Sequence, residues 1–113
     1  MDFWDLVFLL IVGHALADYP LQGQFLAVAK NRMMPKVDVP WYQAMGAHCL
    51  IHAGFVGLLT GSLAIAVMEF VIHFICDDAK CRQRISFDLD QGIHIACKFV
   101  WAALAFHWGT VLW

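Results

Sequence analysis

Four long apolar blocks run along this chain, and the polar residues inside them recur at intervals of four. The blocks cover about residues 3–19, 41–59, 62–84 and 88–112. In the third, Glu69, His73 and Asp77 stand four apart, and Lys80 follows three later. On a helix such spacing puts all four on one stripe. The same interval separates His14 from Asp18, His48 from His52, and Asp90 from His94. The pattern predicts four helices, each largely apolar and each carrying a polar stripe. Pro20 ends or kinks the first, because proline lacks the amide donor and restricts the residue before it. Leu21 to Arg32 is too short and polar to cross a bilayer and is predicted as a short helix at the interface. Met33 to Pro40 reads as a loop, and Thr60-Gly61-Ser62 as a tight turn. Ala53, Gly57 and Gly61 recur every fourth residue and allow close helix contact. Either Ser86 or Asp88 caps the fourth helix.

Composition turns these helices into membrane spans. The chain is 62% hydrophobic and 14% charged over 113 residues, whereas soluble domains are roughly half apolar and a quarter charged. Mean hydropathy is +0.69. The fold class is therefore expected to be all-α and polytopic: one membrane-embedded domain, 1–113, with four transmembrane helices in an up-down bundle. A soluble all-α protein is the alternative that this composition disfavours. Asp2 and Asp5 stand where a signal peptide would be basic, so no cleavable leader is expected. The net charge of -2 selects no partner, and the few basic residues give no reason to expect nucleic acid.

Those basic residues set a topology instead. Lys30, Arg32 and Lys36 follow the first block, and Lys80, Arg82 and Arg84 follow the third. These are six of the seven Lys and Arg residues. The positive-inside rule places both connections in the cytoplasm of a bacterial inner membrane and both termini outside it. Trp4, Trp108 and Trp113 then form an outer aromatic belt, with Trp41 in the inner one.

Counting about 1.5 Å per residue from the cytoplasmic helix ends, the polar stripes converge in depth. His14, His48, His52, His73 and His94 all fall in the cytoplasmic half, from four different helices. His107 lies near the outer end and reads as structural or interfacial. Ionisable groups are costly inside a membrane and usually face the bundle interior. Histidine and carboxylate projecting from facing helices are a known way to hold metals in bundle cores. The candidate ligands are His14, Asp18, His48, His52, His73, Asp77 and His94. Glu69 or Asp90 is a candidate general base, with Lys80 or Lys98 stabilising developing negative charge. Imidazole and carboxylate suit zinc, with manganese or iron as alternatives. Nine convergent groups exceed what one ion needs, so one or two divalent ions are expected, or some groups act from outside the ligand shell. The zinc-protease spacing H-E-x-x-H is absent.

Each pair also has a simpler reading. His14/Asp18 and His48/His52 could be hydrogen-bonded glue between helices. Asp88 and Asp90 could serve the helix N-terminus. Gln22 follows Asp18 by four and either extends that stripe or is solvated. Cys49, Cys76, Cys81 and Cys97 read as small apolar fillers, with no disulfide expected in a reducing setting.

Four segments carry a family resemblance: His14-Ala-Leu-Ala-Asp18-Tyr19-Pro-Leu21-Gln22, His48-Cys-Leu-Ile-His52, His73-Phe-Ile-Cys-Asp77-Asp-Ala-Lys80 and Asp90-Gln91-Gly-Ile-His94. Together and in this order they resemble the DUF3307 family of small bacterial and phage membrane proteins, a domain of unknown function. The resemblance covers nearly the whole chain. It implies that His14, Asp18, His73, Asp77 and His94 act together, and it carries no activity. A broader likeness to membrane proteins described as metal-dependent hydrolases is analogy.

Two functions follow. The first is a metal-dependent hydrolase of a lipid-linked or membrane-proximal ester or phosphoester. The second is a non-enzymatic membrane module: a structural metal site, a proton or metal sensor or transporter, or a binder of a host membrane protein. The outer half lacks charges, which argues against a simple channel. The expected partners are the lipid bilayer, further copies of the chain in a homo-oligomer, and a host membrane protein.

Overall fold

Local signals start and stop each helix, with α2, α4 and α5 ending three to four residues short of the expected 32, 84 and 112. In the computed structural model, residues 1–34 and 38–113 are described; Lys36, one of the expected topology anchors, lies outside them. Helix α1, Phe3–Asp18, opens with a reciprocal cap in which Asp2 accepts from the Asp5 amide and Asp5 from the Asp2 amide. Beyond Pro20 the chain bends by 80° into the short α2, Gly23–Ala29. Helix α3, Trp41–Thr60, ends at Gly61 in the left-handed conformation, φ +68°. Ser62 caps α4, Leu63–Cys81, and Ser86, rather than Asp88, caps α5, Phe87–Trp108. Among the described residues there are no strands.

The four long helices close into a ring: α1 packs on α3 and α5, α4 packs on the same two, and α2 lies against α3. Successive long helices alternate in direction. The Met1 amine meets the Trp113 carbonyl at 3.4 Å, and the Thr110 hydroxyl donates to the Thr60 carbonyl at 2.7 Å. Both termini and the 60–62 turn thus share one end, and Lys30, Arg32 and the Lys80–Arg84 stretch gather at the other. Glycine is required twice where α3 meets its neighbours. A Cβ at Gly57 would sit 3.0 Å from the Ala66 Cβ, and one at Gly61 2.1 Å from the Thr110 carbonyl oxygen.

Polarity is distributed inward. Lys30, Lys98, Glu69, Asp77, Asp90 and five histidines are buried, while Trp4, Phe8, Leu58, Leu63, Val67 and Ile75 are exposed. The membrane expectation meets one plain finding here. No single helix among the described residues is long and apolar enough to cross a membrane, although α1 and α2 together, bent as they are, have the length and composition. The reason lies in the stripes. α1 stops after 16 residues, and in α3, α4 and α5 the histidines, carboxylates and lysines lower the mean hydropathy.

An apolar cluster of Leu6, Val7, Leu10, Val56, Ile65, Trp101, Ala102 and Ala105 fills the end nearer the termini. A smaller one, Met45, Cys49 and Cys81, lies toward the basic end. The polar side chains occupy the interior where α1, α3, α4 and α5 face one another.

Candidate metal centre

Asp18, at the last turn of α1, carries its carboxylate into the histidines of α3 and α4. Its Oδ1 lies 2.9 Å from His52 Nε2, 3.3 Å from His48 Nε2 and 4.0 Å from His73 Nε2. His48 Nε2 and His73 Nε2 are 3.3 Å apart. One ligand atom from each of Asp18, His48, His52 and His73 falls within 4.8 Å of all the others. Ligands placed about 2.0–2.1 Å from a zinc ion at tetrahedral angles stand about 3.3 Å from one another. Two of the distances above are of that size, and the other two lie on either side of it, at 2.9 and 4.0 Å. Three imidazole nitrogens pointed at one carboxylate oxygen also oppose one another's lone pairs or protons, and a cation at their centre removes that conflict. The residues therefore fit a divalent ion.

Around these four the remaining expected residues take distinct places. Asp77 Oδ2 lies 3.2 Å from His48 Nε2 and 3.9 Å from His73 Nε2, at the edge of the cluster. Lys30 donates to Asp77 Oδ2 at 2.6 Å and Lys80 pairs with Oδ1 at 2.9 Å. Glu69 is held on both oxygens. Lys98 donates to Oε1 at 2.8 Å, Trp101 Nε1 donates to Oε2 at 2.6 Å, and His73 Nδ1 lies 3.3 Å from Oε1. A carboxylate so engaged orients His73 and leaves its Nε2 free to face Asp18 and His48. That is a different place from the one expected of a general base. Lys98, expected near developing negative charge, is committed to Glu69.

His14 and His94 stand beside the cluster. His14 Nε2 lies 3.3 Å from Asp18 Oδ2 and 3.0 Å from Gln91 Oε1. His94 stacks on His73 with ring centroids 3.9 Å apart, and its Nε2 lies 3.0 Å from Asp90 Oδ1. The structure thus brings all seven expected ligands into one neighbourhood, but only four of them around one point. His107, at the far end of α5, is exposed.

This chain matches the family model described as "Protein of unknown function (DUF3307)" over residues 6–112. The chain belongs to the DUF3307 family. No curated protein and no solved structure matches it. The matched stretch contains every residue of the cluster, so the polar centre lies wholly inside the part of the chain that defines membership.

Two participants, Lys30 and Arg32, are not legible as such in the sequence, and a third, Gln22, takes one of the two places its spacing left open. Lys30 reads as a topology anchor, yet it is buried against Asp77 and donates to Gln22. The bend between α1 and α2 turns it back into the bundle. Gln22 also donates to the Asp18 carbonyl at 3.0 Å, so it extends the Asp18 stripe. Arg32 forms a two-pronged pair with Asp78, at 2.8 and 2.7 Å, and stacks on Trp41. A side chain that acts across a turn leaves no periodic signal. Cys49, Cys76, Cys81 and Cys97 are free thiols outside the four-ligand group.

Proposed function

We propose that this DUF3307 protein is a membrane-embedded metalloprotein whose centre, Asp18 with His48, His52 and His73, holds a divalent ion and hydrolyses an ester or phosphoester of a lipid-linked or membrane-proximal substrate. The observation that carries the reading is the convergence of one carboxylate oxygen and three imidazole nitrogens, from three helices, all within 4.8 Å of one another. Zinc suits this donor set best, with manganese or iron as alternatives.

Charge supports the ion. Asp18, Glu69, Asp77 and Asp90 are four buried or nearly buried acids, while Lys30, Lys80 and Lys98 are the ammonium groups paired with them. Asp18 and Asp90 have no Lys or Arg within ion-pair distance among the described residues, and a divalent cation neutralises what the lysines leave. Membrane placement is supported by the inverted distribution of polarity and by the long axis of 45 Å, close to the thickness of about 40–45 Å of a bilayer with its headgroups. The basic end then faces the cytoplasm and both termini face outward across a bacterial inner membrane.

A divalent ion at such a centre supplies Lewis-acid polarisation and a water acidic enough to attack at neutral pH. The chain's own groups do the rest. Asp77, at the edge of the cluster, turns Oδ2 toward His48 and His73. Lys30 and Lys80 hold Asp77 in position and carry the positive charge that favours an anionic group nearby. Glu69 and Lys98 fix the ring of His73. Asp90 fixes His94.

Purified protein in mild detergent should contain stoichiometric metal and hydrolyse a lipid ester or lipid phosphoester presented in micelles. Chelator and His52→Ala should each abolish turnover. Stoichiometric metal with no turnover of either substrate class contradicts hydrolysis. It would leave a second reading, a structural or sensing metal site, which one observation favours: four protein ligands close a tetrahedral shell, whereas catalytic zinc commonly keeps three and an open position.

A further inference from the structure

The two oxygens of Asp18 face different neighbours. Oδ1 faces His48, His52 and His73. Oδ2 faces away from them, 3.3 Å from His14 Nε2 and 2.9 Å from Gln91 Nε2. The same Gln91 nitrogen lies 3.4 Å from Asp90 Oδ2. One neutral amide donor therefore sits between two carboxylates, Asp18 and Asp90. Neither has a Lys or Arg within ion-pair distance among the described residues, although Glu69, Asp77 and Asp78 each do. Asp90 and His14 are almost fully buried, and His14 Nδ1 has no hydrogen-bond partner among the described residues.

We propose that Asp18 bridges two divalent cations. The first is the ion of the reading above, on which this inference rests. The second is held by Asp18 Oδ2, Asp90 Oδ2 and His14 Nε2, near the point where the Gln91 amide nitrogen lies. In this arrangement the Gln91 amide stands in for a cation. A partial positive charge satisfies two acidic groups that a metal ion satisfies far more strongly. Turned about its terminal bond, the same amide presents Oε1, which already lies 3.0 Å from His14 Nε2 and is an oxygen ligand suited to a divalent ion. A carboxylate that offers one oxygen to each of two ions is a natural bridge for a pair about 3.5–4 Å apart, the separation at which two ions clamp the attacking and leaving oxygens of a displacement. Asp90 thereby gains a role as ligand, and His14 faces the second ion.

The test is to strip the detergent-purified protein, reload it with Mn2+, and record both the manganese content and the low-temperature electron paramagnetic resonance spectrum. The wild-type chain should take about two ions per chain with the exchange-coupled spectrum of a bridged pair. Asp90→Asn should take about one, with the spectrum of an isolated ion. Gln91→Lys, which places an ammonium between the two carboxylates and so stays paired and folded, should also take only one. A wild-type chain that takes one ion overturns the bridged pair and leaves the four-ligand centre standing. Retention of two ions by Gln91→Lys and Asp90→Asn overturns the assigned ligands, and with them the proposal. A wild-type chain that takes none overturns both readings.

Discussion

At the scale of single residues, the account turns on which carboxylates are already engaged. Glu69 is 1% exposed, and its partners Lys98 and Trp101 are equally enclosed. Removing its charge leaves the Lys98 ammonium buried and alone, so Glu69→Gln should destabilise the protein by about 3–5 kcal/mol, as for other broken buried pairs. Thermal unfolding in detergent would read this, and the double variant Glu69→Gln/Lys98→Met should recover most of the loss. Because Glu69 also orients His73, the double variant should still bind metal about 10–100-fold more weakly than wild type. Acid should release the metal. Protons compete with the ion for its ligands, so the affinity should fall as the pH is lowered across the range in which the protein stays folded. Equilibrium dialysis across that range measures it, and release that is indifferent to pH contradicts histidine ligation. The candidate ligands are legible in the sequence because His14/Asp18, His48/His52 and Glu69/His73 repeat at helical spacing inside apolar surroundings. What spacing could not say is that Asp18 and His52 converge while Asp77 is drawn toward Lys30. That depends on how helices distant in sequence are rotated against one another.

At the scale of elements, the turns set that rotation. Gly61 is left-handed, and its missing Cβ admits the Thr110 carbonyl. Gly61→Ala should cost at least the roughly 1–2 kcal/mol of a left-handed L-residue, and more for the overlap with Thr110. Gly54 has open space where a Cβ would go, so Gly54→Ala should be neutral or slightly stabilising, consistent with the helix preference of alanine. Melting both variants side by side checks the pair. Equal losses would contradict the packing described. The four long helices and the 60–62 turn could be read directly from the blocks, from Gly61 and from the serines that cap α4 and α5. The 80° bend after α1 could not be measured from Pro20 alone. Pro20 announces a break but not its direction, and Gly23, at φ +64°, supplies the conformation that turns α2 back. Lys30 therefore enters the polar centre unannounced.

At the scale of the whole molecule, ionisable side chains fill the interior beyond the apolar cluster, and large apolar side chains are exposed on the outside. Leu63 is 81% exposed and Leu58 60%, while Lys98 is 1% exposed. In water that surface would drive aggregation. In a bilayer it would be the stable face, and the buried ionisable groups would be the site that the proposed function uses. The protein should therefore fractionate with membranes, resist extraction by alkaline carbonate and dissolve in mild detergent. Release by carbonate alone would contradict membrane embedding. The same inversion bears on why no single helix among the described residues is long and apolar enough to cross a membrane: α1 has only 16 residues, and the buried polar side chains lower the mean hydropathy of the other long helices.

The most direct test of the central claim is X-ray absorption fine structure on the metal of the purified protein. The account predicts a shell of nitrogen and oxygen at about 2.0–2.1 Å with the outer scattering of about three imidazoles, reduced in His52→Ala. A shell containing sulfur from the cysteines, a shell without imidazole scattering, or a protein that binds no metal would contradict it.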